Sequence, residues 1–169
     1  MRRALDCLYD AAAWLAAASL VGTLAMVLVA IAGRFLNFHL PGTDAYAGYA
    51  MAGAGFLALA HTLKRREHIR VTLIVERLHG RARRALELWS LGAGVLLAAL
   101  FAYFSVRLAY QSWDFHDIST ASDATPLWIP QLSMAIGTLV LLIALVDELV
   151  LEWLGRRGRN VPDEALHNE

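Results

Sequence analysis

Residues 11–33 read AAAWLAAASLVGTLAMVLVAIAG, an unbroken run without a single charge. A helix needs about 20 apolar residues to cross a hydrocarbon core of roughly 30 Å. Buried helices of soluble proteins rarely require so long a run. Three more charge-free runs follow, at 45–63, 88–106 and 124–146. The run at 45–63 is short and rich in Ala and Gly, and alone it also reads as a buried helix of a soluble protein. Its position between stronger runs decides for the membrane. Composition agrees: 58% of the 169 residues are hydrophobic and 18% are charged, against about 25% charged in a typical soluble domain.

The flanks of these runs set the topology. Trp14, Trp89, Trp113, Trp128 and Trp153 all lie at span edges, the headgroup level that the amphipathic indole prefers. All 15 Lys and Arg except Arg34 and Arg107 fall at the termini or in the segment 64–84. By the positive-inside rule these segments are cytoplasmic. The expectation is therefore an all-α integral membrane protein with four transmembrane helices and both termini in the cytoplasm. A single domain over 1–155 would hold spans at about 11–33, 44–63, 85–110 and 128–154, with a polar tail at 156–169. The first run is too long for the 7–15-residue apolar core of a cleaved signal, so it is read as a retained span. Cys7 is the sole cysteine, which rules out an internal disulfide.

Three segments stand out beyond the spans. In the cytoplasmic stretch after Lys64, Val71, Ile74, Val75 and Leu78 recur at the spacing of one helix face, with Arg70, Arg77, Arg81 and Arg84 on another. This predicts a short interfacial amphipathic helix at about 70–80. Arg65, Arg66, His68, Arg70 and Arg77 would anchor it on phospholipid headgroups; a solvated basic loop is the plainer reading. In the second span, Gly48, Ala52 and Gly55 form a small-residue stripe suited to close helix packing, inside the bundle or against another subunit. In the outer loop, Asp114, Asp117 and Asp123 precede Thr125-Pro126-Leu127-Trp128-Ile129-Pro130. The two prolines favour a stiff, extended approach to the last span. The acids either face an outer partner or are merely solvated.

What the spans lack also bears on function. Their middles carry no ionisable residue, whereas such residues usually mark ion or substrate pathways. An exporter with a buried carboxylate is therefore disfavoured. A haem anchor would need facing histidines within the bilayer, yet the six here sit mostly in loops and tails. His68 with Glu67 and Glu76 is the nearest approach to a catalytic cluster and reads as interface charge. A noncatalytic accessory subunit fits best. The alternative is a membrane anchor subunit of a redox enzyme complex.

Two stretches carry a resemblance. An Arg at the outer end of span one (Arg34) is followed by Pro41-Gly42-Thr43-Asp44, an Ala-rich span, and Lys64-Arg65-Arg66-Glu67-His68-Ile69-Arg70-Val71. The second stretch is Thr125 to Pro130. Together they resemble the DctQ-like small membrane subunit of tripartite ATP-independent periplasmic (TRAP) transporters, over about residues 10–155. Many members open span two with a Trp-Ser-Glu-Glu type sequence. Here Thr43-Asp44-Ala45-Tyr46 keeps one carboxylate, Asp44, placed to act at the helix N-terminus.

The resemblance implies a bacterial inner-membrane protein that pairs with a large TRAP membrane subunit and a periplasmic substrate-binding protein. It implies uptake of organic acids by sodium symport. It places sodium on the large subunit only, with no cofactor and no nucleic-acid partner for this chain. Arg34, Asp44, Pro126, Trp128 and Pro130 are then the outer-face residues expected to serve structure or partner contact.

Overall fold

The structure, a computed structural model, describes residues 2–38, 40–64, 81–120 and 124–154. Among these residues the elements are α1 (Arg2–Leu36), α2 (Thr43–Lys64), α3 (Arg81–Asp114) and α4 (Trp128–Trp153). The expected interfacial helix at 70–80 lies outside the described residues, as do Arg65, Arg66, His68, Arg70, Arg77 and the tail at 156–169.

Three segments, Leu5–Leu36, Arg84–Asp114 and Trp128–Trp153, are long and apolar enough to cross a membrane. On α3 the Trp89-to-Trp113 separation is roughly 36 Å at 1.5 Å per residue, enough to reach from one headgroup layer to the other. α2 is not among the three, because Ala and Gly replace the large aliphatic residues that raise hydropathy. With 22 residues it is the shortest of the four, against 35, 34 and 26, yet it still reaches the about 20 residues that a crossing needs.

The helices pack in the order α1–α2–α4–α3. α2 runs antiparallel to α1, with Ala50 opposite Gly22 and Gly53 opposite Ser19. It runs parallel to α4, with Gly53 against Ser133 and Phe56 against Gly137. α3 packs on α4 and meets α2 through the tilted ring pair Phe101–Phe56, 5.9 Å apart. α1 reaches α4 mainly around a cluster of Tyr9, Ala12, Ala60, Val140 and Ala144, flanked by Leu5 and Leu63. The result is an open row, with α1 and α3 at its two ends. Only 6% of the apolar window of α1 is buried, against 28% for α4, as expected for an end helix and an inner helix of the row.

Small residues make these seams. On α3 the buried positions are Ala98, Ala102, Ser105, Ala109 and Ser112, spaced by alternating fours and threes, one stripe of a helix. Small side chains let backbones approach, which is how helices associate where lipid removes the hydrophobic drive. The tightest approach is at Gly137. A Cβ there would lie 2.5 Å from the Phe56 carbonyl oxygen, so the α-hydrogen in its place points at that oxygen, as in a Cα–H···O contact. Three hydroxyls in this apolar setting bond to their own helix. Thr138, fully buried, donates to the Met134 and Ala135 carbonyls at 2.9 and 3.0 Å. Ser133 donates to Pro130 at 2.7 Å and Thr23 to Ser19 at 3.0 Å. Each such bond removes the cost of an unpaired polar group without needing a neighbour.

Candidate functional site

The connections α1–α2 and α3–α4 share one end of the row, the end expected to face outward. α1 and α3 finish there in the same way. Asn37 adopts a left-handed conformation (φ 51°) and the Phe38 amide donates to the Gly33 carbonyl at 3.1 Å. His116 does likewise (φ 54°), with the Asp117 amide donating to the Ser112 carbonyl at 3.0 Å. Both are six-to-one closures of the Schellman type. Gly33 is required, since a Cβ would lie 2.7 Å from the Phe38 carbonyl oxygen. Pro41 and Gly42 (φ 85°) then turn the chain, as the centre of a type II turn demands, and the Tyr46 amide starts α2 on the Gly42 carbonyl at 3.0 Å.

His116 is a costly choice for a left-handed position, about 1–2 kcal/mol for a residue with a Cβ. Replacing it by glycine is therefore expected to raise thermal stability by about 1 kcal/mol. A melting curve of the purified variant checks this. A lower midpoint would mean that the ring, whose Nδ1 lies 3.1 Å from the Asp114 carbonyl oxygen, contributes more than the strain it causes.

Two surfaces occupy this end. The first is a platform formed by the α3–α4 loop. An isolated antiparallel bridge pairs Ile118 with Pro126. It is closed by Ser119 N–H to the Thr125 carbonyl at 2.8 Å and Leu127 N–H to the Asp117 carbonyl at 2.9 Å. α2 holds the loop from the side. Tyr49 donates to the Ser119 hydroxyl at 2.8 Å, and the Thr125 hydroxyl donates to the Tyr46 oxygen at 3.1 Å. The two tyrosine rings stand edge to face. Trp128, the first residue of α4, packs edge to face on Trp113, with ring centroids 5.1 Å apart. Pro130 lies in the first turn of α4, where its missing N–H costs nothing. Asp114, His116 and Asp117 are exposed on this platform.

The second surface is a cleft of ≈ 310 Å³ between the end of α1 and the start of α2, lined by Val29, Ala30, Gly33, Arg34, Asn37, Phe38, Leu40, Thr43 and Asp44. Asp44 lies in the first turn of α2, where a negative charge meets the positive end of the helix dipole. Among the described residues neither Arg34 nor Asp44 forms an ion pair or hydrogen bond, although both line the same cleft.

The opposite end holds most of the other ionisable groups among the described residues. His61 of α2 faces Asp10 of α1, with Nδ1 3.9 Å from the carboxylate. Arg84 of α3 donates to the Trp153 carbonyl at 2.9 Å, placing a cation at the negative end of the α4 dipole. Glu152 is buried. Among the described residues no three His, Cys, Asp or Glu side chains converge to hold a metal ion.

The structure thus gathers Arg34 and Asp44 in the cleft and Pro126, Trp128 and Pro130 in the platform. The stripe Gly48, Ala52 and Gly55 is exposed, and a Cβ at Gly48 or Gly55 would meet nothing within 4 Å. The α2 residues packed against α1 and α4 include Gly53, Leu57 and Ala60 instead. Sequence reading missed the part played by Tyr46 and Tyr49. The signal was available: two tyrosines three apart in an otherwise small-residue helix need a polar end nearby for their hydroxyls.

A family described as "Tripartite ATP-independent periplasmic transporters, DctQ component" matches residues 23–155 of this chain. No curated protein matches it.

Proposed function

The chain belongs to the DctQ family, the small membrane component of TRAP transporters, and on that premise we propose that it is the noncatalytic brace of a sodium-coupled importer of organic acids. In this reading α2 is a fourth span, both termini lie in the cytoplasm, and the host membrane is a bacterial inner membrane. The large membrane subunit carries substrate and sodium. The platform at the outer end helps to dock the periplasmic binding protein through the exposed Asp114 and Asp117.

One observation supports the bracing role above others. The helices form an open row whose inner helix, α2, still presents a bare Gly48–Ala52–Gly55 face. A subunit that enclosed its own pathway would turn polar groups inward. This one buries mainly alanines, with a threonine that bonds within its own helix, and leaves a smooth face for a neighbour. Co-expression with the large subunit tests the reading: the two are expected to purify together in mild detergent, and a chain that elutes alone would overturn it.

Topology has its own test. Cys7 is exposed near the start of α1 and needs no engineering. A membrane-impermeant maleimide is expected to label it only after cells are permeabilised. With Cys7→Ser in the background, Asp117→Cys is expected to label in intact spheroplasts. The reverse pattern would invert the orientation.

A further inference from the structure

The cleft between α1 and α2 combines features that neither bracing nor docking uses. A guanidinium (Arg34) and a carboxylate (Asp44) line it together yet do not pair. The Asn37 amide and Thr43 hydroxyl add hydrogen-bonding groups, and Val29, Ala30, Phe38 and Leu40 give it apolar walls. Below it, α1 exposes Leu20, Leu24, Val27, Leu28 and Ile31, a continuous aliphatic track into the depth of the span.

We propose that this cleft binds the headgroup of a phosphoethanolamine lipid of the outer leaflet. The proposal rests on the reading that α1 spans the bilayer with Arg34 at headgroup depth. Opposite charges left unpaired in one cleft suit a ligand that carries both charges itself. The guanidinium fork matches a phosphate with two parallel N–H···O bonds. The primary ammonium donates to the Asp44 carboxylate. The acyl chains run down the aliphatic track of α1, so that charge and apolar area are satisfied by one molecule. A choline headgroup has no N–H to give Asp44, and a glycerol headgroup has no cation. The cleft therefore discriminates among phospholipids by headgroup.

The test uses the full chain, alone and in its co-purified complex. Delipidated protein is supplied with vesicles of phosphatidylethanolamine, phosphatidylcholine or phosphatidylglycerol, and retained lipid is counted by native mass spectrometry alongside a thermal melt. The ethanolamine lipid is expected to be retained most and to raise the midpoint most. Arg34→Gln and Asp44→Asn are each expected to cut that preference by about tenfold, the effect of about 1.4 kcal/mol. Arg107→Gln, on α3 and outside the cleft, is expected to leave it intact. Soluble glycerophosphoethanolamine is expected to compete weakly, because it lacks the acyl chains. Equal retention of all three lipids, or a preference that survives both variants, overturns the proposal. So does protection of the cleft by the periplasmic binding protein with no response to lipid, which would make this a protein contact. Failure of the membrane reading itself is separable: the chain would then retain no lipid of any kind and would fail the labelling test at Cys7 and position 117.

Discussion

A Gly137→Ala variant is expected to melt at a clearly lower temperature than the parent chain, with α2 loosened from α4. The sign is not obvious from local preference. Within a helix, Ala is better than Gly by about 1 kcal/mol, so the substitution helps α4 taken by itself. Packing opposes it. The new Cβ would lie 2.5 Å from the oxygen and 2.6 Å from the carbon of the Phe56 carbonyl. Those are backbone atoms held in the α2 ladder, so no rotamer change relieves the clash. The helices must separate. Overpacking of this kind costs about 1–3 kcal/mol in a well-filled core, and separation also weakens the contacts of Gly53, Ala60, Val140 and Ala144 along the same seam. The packing loss exceeds the propensity gain. Gly137→Leu enlarges the effect and is expected to prevent recovery of a monodisperse chain. A thermal melt in detergent, with Gly53→Ala beside it, provides the measurement. At Gly53 the nearest atoms would be side chains, Ser19 Oγ at 3.4 Å and Ser133 Cβ and Oγ at 3.6 Å, which can move aside. Little change is expected there. If Gly137→Ala melts no lower than the parent, the close α2–α4 approach is not what holds the row together.

The contrast between these glycines also marks how far the sequence could be read. Helices were legible because charge-free runs near 20 residues leave few other options, and the described residues form an all-helical fold with three helices apolar enough to span. The order in which they pack was not legible. Connectivity pairs α1 with α2 and α3 with α4, but whether α2 or α1 then meets α4 depends on contacts such as Phe56 with Gly137, between residues far apart in sequence. Gly48, Ala52 and Gly55 drew attention as a stripe, yet the packed α2 positions lie around the helix from it. Composition alone could not separate them, since α2 is small on nearly every side. The α3 stripe from Ala98 to Ser112 was readable from its spacing, but it sits among Leu, Phe and Tyr residues that mask it. At the outer end, the residues flagged around Arg34, Asp44 and Trp128 do cluster at the helix ends. What tied the loop down was the pair Tyr46 and Tyr49, which bond to Thr125 and Ser119 across 79 and 70 positions of sequence. Separations of that length carry no local pattern.

Gly55→Leu is expected to do the opposite of Gly137→Ala, sparing the isolated chain and removing it from its complex. In the chain alone, a side chain at position 55 enters open space, with nothing within 4 Å of its Cβ. Leu is also the better helix former by nearly 1 kcal/mol, so the melting temperature is expected to hold or rise. Gly48→Leu behaves alike for the same reason. The complex is another matter. If the Gly48–Ala52–Gly55 face receives a helix of the large subunit, backbones meet there at the short distance small residues permit. A leucine then acts as a wedge, and a second one about two turns away holds the helices apart along the whole contact. Loss of close packing along one seam leaves little to replace it, because lipid chains are as apolar as the side chains they displace. The Gly48→Leu/Gly55→Leu double variant is expected to express and fold, to elute without the large subunit, and to abolish transport. Leu20→Ala and Leu24→Ala, on the exposed face of α1, serve as controls and are expected to leave co-purification intact. A double variant that still co-purifies in full would move the bracing contact off this face of α2 and onto one of the outer helices of the row, α1 or α3.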